Sequence, residues 1–363
     1  QSEIGLILSI GGIVGLIGQM PGGAIIDAAR SERLVAGLAV ATIGVSALAY
    51  AAWPIFPVIA LAAILHAAAS CVLGPVIAAI SLGLVGPRAI GERLGRNARF
   101  ASLGNGVAAG VMGVVGYLVS SRAVFVVSFA FAGATLLALA RIRDREIDPE
   151  QAHGAIARVE PDPDATSVVH LLHQRPLVIF ACTVFLLQFA NAAMLPLMAG
   201  IVTERSSEGA PALIALCIIV PQAIVALISP SVGRKAQAWG RRPLLMIAFV
   251  ALAVRGLLFA TVHDPSLLVV VQVLDGVTAA VFGVMIPLIV ADVAFGSGHF
   301  NLAQGVIGTA TGIGASLSTV VAGTMSDHFG HGVAFTGLAA AALSGLLVVW
   351  TLMPETRPAG LPR

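Results

Sequence analysis

Apolar stretches long enough to cross about 30 Å of hydrocarbon as helices recur along the whole chain, separated by short polar breaks. They fall at residues 4–26, 34–51, 57–85, 100–119, 123–140, 176–201, 210–228, 243–261, 266–290, 302–324 and 333–353. The pattern predicts eleven transmembrane helices and an all-α polytopic membrane protein. One long polar segment interrupts it. Residues 141–175 carry Pro149, Pro161 and Pro163, and Asp164 is placed to cap a short helix through Leu172. The chain therefore divides into a helical half 1–140, a linker 141–175, a second helical half 176–353 and a tail 354–363.

Composition agrees with a lipid solvent. Hydrophobic residues make up 58% of the chain and charged ones 10%, against about 25% charged in soluble domains. The net charge of +2 says little; the placement of charge says more. With alternate loops assigned to alternate sides, one side holds seventeen Lys and Arg residues and the other only Arg122 and Arg205, with Arg255 inside a stretch. That bias puts the linker and the C-terminal tail in the cytoplasm, as in a bacterial inner membrane. Cys71, Cys182 and Cys217 each lie within apolar stretches, as packing residues do. The sequence shows no zinc-ligand spacing, no phosphate-cradling loop after a strand and no nucleophilic triad. The expectation is a protein that is not an enzyme, with no metal, cofactor or nucleic acid, working as a monomer in a lipid bilayer.

Two repeats point to a duplication. Residues 233–242, Gly-Arg-Lys-Ala-Gln-Ala-Trp-Gly-Arg-Arg, read as a short basic turn between apolar stretches. A decayed copy, Gly23-Ala-Ile-Ile-Asp27-Ala-Ala-Arg30, lies about 210 residues upstream. Leu65-His66-Ala67 and Leu274-Asp275-Gly276 match at an offset of 209. The loop copies resemble the cytoplasmic signature of the major facilitator superfamily, with Gly233, Gly240, Arg241 and Arg242 on pattern and Gln237 where the acid belongs. That resemblance implies two pseudo-symmetric six-helix halves, and it implies that the first of twelve helices is absent from this sequence. The eleven stretches then take positions two to twelve.

The same resemblance gives the loop residues a mechanical role. Asp27, with Gly23 and Arg30, is expected to latch onto an Arg or a helix N-terminus in an outward-open state. The second copy, lacking the acid, is expected to latch weakly or to serve only as a topology anchor. Small-residue faces predict close helix packing at Gly11, Gly15, Gly18 and Gly22, at Gly106, Gly110 and Gly113, and at Gly305, Gly308 and Gly312.

Ionisable groups inside the stretches are the candidates for chemistry. Asp275 is the acid expected near mid-bilayer, and His66 occupies the matching position in the other half. Both suit proton exchange, but Asp275 also fits a structural ion pair with Arg255. Gln188 and Asn191, three apart on one helix face, are placed to bind substrate or each other. The resemblance implies a secondary active transporter of small molecules, proton-coupled and exporting. Gly104 and Gly113 match half of an export signature that would continue with proline, where this chain has Val114. The alternatives are a proton-coupled importer of a small metabolite or organic anion, and a non-transporting receptor on the same fold.

Overall fold

The computed structural model describes residues 2–155, 173–205, 210–262 and 264–357, and among them the regular structure is helical. The first helices are α1 (Ser2–Ile17), α2 (Gln19–Asp27), α3 (Glu32–Ala52), α4 (Phe56–Leu118) and α5 (Ser121–Leu139). A 3₁₀ turn (Asp144–Glu146) and the short α6 (Pro149–Ala152) follow. The remainder are α7 (Arg175–Asn191), α8 (Met194–Arg205), α9 (Ala210–Trp239), α10 (Arg242–Thr261), α11 (Pro265–Val293), α12 (Phe300–Phe329) and α13 (His331–Thr351). The helix expected at Asp164–Leu172 lies outside the described residues.

Nine of the described helical segments are long and apolar enough to cross a membrane, and the bent pair α1–α2 makes a tenth. The 63-residue α4 is broken at Gly86 (φ 69°), so it holds two crossings, which brings the number to eleven. Large apolar side chains stand on the outside of these helices, among them Leu34 (63% exposed), Leu137 (73%) and Leu227 (72%). Water would not tolerate such a surface; lipid requires it.

Prolines set the breaks. Pro21 gives no N–H to the carbonyl of Ile17 and crowds it, and the helix bends by 43° there. Pro196 stands in the same relation to Ala192, in the gap between α7 and α8. At Gly86-Pro87, glycine supplies the positive φ and proline starts the next helix.

Two charged segments read above as loops are helical. Residues 87–99, with Arg88, Arg93, Arg96 and Arg99, extend the helix that crosses the membrane at 100–118. Residues 233–239 are the last two turns of α9, and the turn itself is confined to Gly240 (φ 95°). Charge ends an apolar stretch without ending a helix: backbone hydrogen bonding continues beyond the hydrocarbon.

The chain folds into two compact units. The first comprises 1–90, 107–172 and 294–309, the second 91–106, 173–293 and 310–363. Each contains a tight glycine crossing of the same design. In the first, a Cβ on Gly23 would overlap the carbonyl oxygen of Asn301, and one on Gly305 that of Gln19. In the second, a Cβ on Gly233 would overlap the carbonyl of Gly91, and one on Gly95 that of Ser229. All four correspondences (23 with 233, 91 with 301, 95 with 305, 19 with 229) differ by 210. The duplication is thus repeated in the contacts.

The small-residue faces are corrected by the same geometry. Gly18, Gly305 and Gly308 are closely approached and Gly22 is in ordinary contact with Val72, whereas a Cβ on Gly11, Gly15, Gly106, Gly110 or Gly113 would meet none of the described residues within 4 Å. Spacing identifies a smooth face but not whether another helix lies on it.

Candidate functional site

In the second unit, α10, α11 and the end of α7 bring three polar side chains together within the membrane span. Arg255 donates from Nη1 to Asp275 Oδ1 at 2.6 Å and to Asn191 Oδ1 at 2.6 Å. Its side chain is 1% exposed, while that of Asp275 is 21% exposed. The guanidinium also lies 5.2 Å from the Phe259 ring centroid, which suits a cation with its polar edge already engaged. A buried cation is tolerated only when so partnered.

Asn191 is the last residue of α7, at the discontinuity before Pro196. The Ala193 N–H there leaves the helical ladder and donates to Ser318 Oγ of α12 at 3.1 Å. A broken helix with a polar cluster at mid-membrane is a common setting for transport sites. Gln188, one turn earlier, packs its Cβ toward Gly314 of α12 and is not a partner of Arg255. His66 lies half-buried on α4 in the first unit. The sequence offered the Arg255–Asp275 pair as one alternative and flagged Asn191 apart from it, beside Gln188. Ser318 and Phe259 carried no signal there.

At the helix ends of the first unit, Asp27 caps α12. Its Oδ1 accepts from the Asn301 backbone N–H (3.1 Å) and side-chain amide (2.8 Å), and its Oδ2 accepts from the Leu302 N–H (2.8 Å). The free N–H groups of a helix start and its dipole favour a carboxylate there. Arg30 is exposed. Beside Asp27, His153 Nε2 lies 2.9 Å from Glu32 Oε1, whose side chain is 4% exposed. Pairing with Glu32 raises the His153 pKa above its ordinary value, with Asp27 adding to the effect and burial opposing it.

The second loop copy is built differently. Gln237 stands where Asp27 would map, beside Gly91, and its amide nitrogen and oxygen are buried without a hydrogen-bond partner among the described residues. Gly91 and Glu92 lie a turn inside the helix that follows Gly86, not at its open end, so even an acid would find no free N–H pair there. Arg241 is no mere topology anchor. It is 1% exposed, and binds both oxygens of Asp292 (2.8 and 3.2 Å) and the carbonyl of Ala236. Glu355 accepts the backbone N–H groups of Arg241 (2.8 Å) and Arg242 (3.2 Å), capping α10, and the Arg242 side chain donates to the Trp350 carbonyl. Asp292 and Glu355 were not singled out from the sequence.

Bilayer-length helices, a duplicated glycine crossing and an ion pair within the span define a polytopic α-helical membrane protein. The chain belongs to the Major Facilitator Superfamily, whose family model matches residues 1–221 and 180–362, and it is accordingly a membrane transporter. An uncharacterized MFS-type transporter from two strains of Mycobacterium tuberculosis is 39% identical over 362 residues, covering 98% of this chain and 85% of the relative. Among solved structures, the proton:xylose symporter XylE superposes with a TM-score of 0.75 at 15% identity, over 98% of this chain and 87% of that one. The human organic anion transporter MFSD10 (TETRAN) gives 0.71 at 16% identity, over 94% and 82%. These two likenesses bear on the fold.

Proposed function

We propose that the protein is a secondary active transporter of small molecules, working by alternating access, with Asp275 as the proton-coupling carboxylate and Arg255 and Asn191 at the substrate site. The observation that carries this reading is the Arg255–Asp275 contact, a fully buried cation against a partly accessible acid. Ionised, the pair is neutral. A proton on Asp275 leaves Arg255 with a net positive charge and only the Asn191 oxygen as a strong partner. A proton and an anionic or strongly polar substrate group therefore favour one another at this site. His66 is a second candidate for proton exchange, and Gln188 for substrate contact. The direction we favour is export from the cytoplasm of a bacterium, by a monomer in the inner membrane, with the linker and C-terminus inside.

The second reading, a proton-coupled importer of an organic anion, is favoured by the same Arg255 geometry. Both structural neighbours fit the class, one a proton:xylose symporter and one an organic anion transporter. Transport of a substrate library into or out of proteoliposomes under an imposed pH gradient decides direction and excludes a non-transporting receptor. Asp275→Asn is expected to abolish gradient-driven movement while retaining substrate binding or passive exchange. If Asp275→Asn merely expresses poorly and Arg255→Gln restores it, the pair is structural and the coupling role is lost.

A further inference from the structure

The start of the linker is fastened to the latch. The Asp148 N–H donates to the Gly83 carbonyl at 3.0 Å, and Gly83 and Gly86 leave room for Ile147 and Gln151 against α4. At the other end, the His153 carbonyl accepts from the Phe300 N–H (3.2 Å) and the Gly154 carbonyl from the Gly296 N–H (2.6 Å). Residues 148–155 thus join the start of α3 to the turn that opens α12, the helix that Asp27 caps. Every one of these contacts lies within the first unit.

One ion pair, His153 with Glu32, crosses this seam among the described residues. The titratable groups facing the His153 ring are Glu32 of α3 and Asp27 of α2, and the Ile26 backbone of α2 also contacts it. From the turn before α12 the contacts are backbone ones, and the nearby His299 ring is turned onto the Ser297 carbonyl at 2.7 Å. Two carboxylates therefore face one imidazole. Without its proton, His153 leaves Glu32 a buried carboxylate with no counter-charge, an arrangement that favours release of the strap.

We propose that His153 and Glu32 form a proton-binding clamp that straps the linker onto the Asp27–Asn301 latch, holding it when His153 is protonated and loosening it when His153 is neutral. The site is separate from Asp275 and would make the latch sensitive to cytoplasmic pH. The raised His153 pKa fixes the sign. Docking is strongest below the ordinary histidine value of about 6.5 and is lost as pH rises through the higher docked value.

Hydrogen exchange of the full chain in lipid nanodiscs tests this without knowledge of the substrate, and so independently of the transport reading. After division by intrinsic exchange rates, protection of peptides covering 148–155 and 296–302 is expected to be flat below about pH 6.5. Above it, protection should fall by up to about tenfold per pH unit before levelling off. His153→Gln and Glu32→Gln should each abolish the pH dependence while α10 peptides stay protected. Protection in the parent that does not change with pH, or a His153→Gln profile that titrates as the parent does, overturns the proposal. If either variant also loses protection in α10 it is misfolded, and the parent profile alone decides.

Discussion

Arg241 and Arg255 are both 1% exposed, yet their pairs differ in what surrounds them. Every guanidinium nitrogen of Arg241 has a partner: Asp292 accepts from two and Ala236 from the third, and Thr356 and Glu355 complete the cluster at 3.2 Å and 2.8 Å. Arg255 uses a single nitrogen, Nη1, for both Asp275 and Asn191, and its buried Nε is without a partner among the described residues. The first arrangement holds a fold; the second leaves part of the guanidinium unengaged, as the proposed substrate site requires. Asp292→Ala, which strands a buried guanidinium, is expected to destabilise the protein by roughly 3–5 kcal/mol. A marked fall in the thermal midpoint in detergent checks this. Asp275→Asn, which keeps an acceptor beside Arg255 and leaves a more accessible site, should lower the midpoint much less.

Elements meet here through glycine. Gly23 and Gly233 are the fixed points of their crossings, because any side chain would enter the backbone of the helix opposite. Gly23→Ala is expected to cost roughly 1–3 kcal/mol from overpacking. Gly106→Ala, in open space, should be neutral to within about 0.5 kcal/mol or slightly stabilising through helix propensity. Chemical denaturation of the two variants separates the cases, and equal losses would show that Gly106 is packed after all. From the sequence both glycines lie on small-residue faces of apolar helices; the helix opposite decides which of them matters.

For the whole molecule, the contact of most consequence is the cap that Asp27 places on α12, across 274 to 275 positions of sequence. It consists of two backbone donors and one amide, and breaking it frees the helix end to move. Asp27→Asn keeps the shape but loses the charge that the helix dipole favours. Turnover is expected to change by about 3–10-fold, with substrate affinity held within about twofold, because the substitution biases conformation and leaves the mid-span site untouched. Comparison of maximal rates and half-saturation in proteoliposomes checks this. Unaltered rates would reduce Asp27 to a topology marker. No such outcome is expected for Gln237→Asp, since Gly91 and Glu92 already lie within a helical turn.

The sequence alone determined the solvent, the helices and the repeat. Hydrocarbon excludes unpaired backbone, so runs of some twenty apolar residues have one available conformation, and the match between 23–30 and 233–242 reports a duplication wherever the helices pack. It also marked Asp275 and Arg255, because a charge at membrane depth is too costly to be there without a role, and Asp27 through its place in the loop repeat. Tertiary structure decided the partners. Asp292 lies 51 positions from Arg241, Glu355 lies 114 away, and His153 meets Glu32 across 121, distances at which no local pattern survives. It also decided where helices end, since the charged residues 87–99 and 233–239 stay helical beyond the hydrocarbon. Local periodicity records what each segment is dissolved in. Which side chains meet depends on how helices remote in sequence cross, and that is fixed only when they pack.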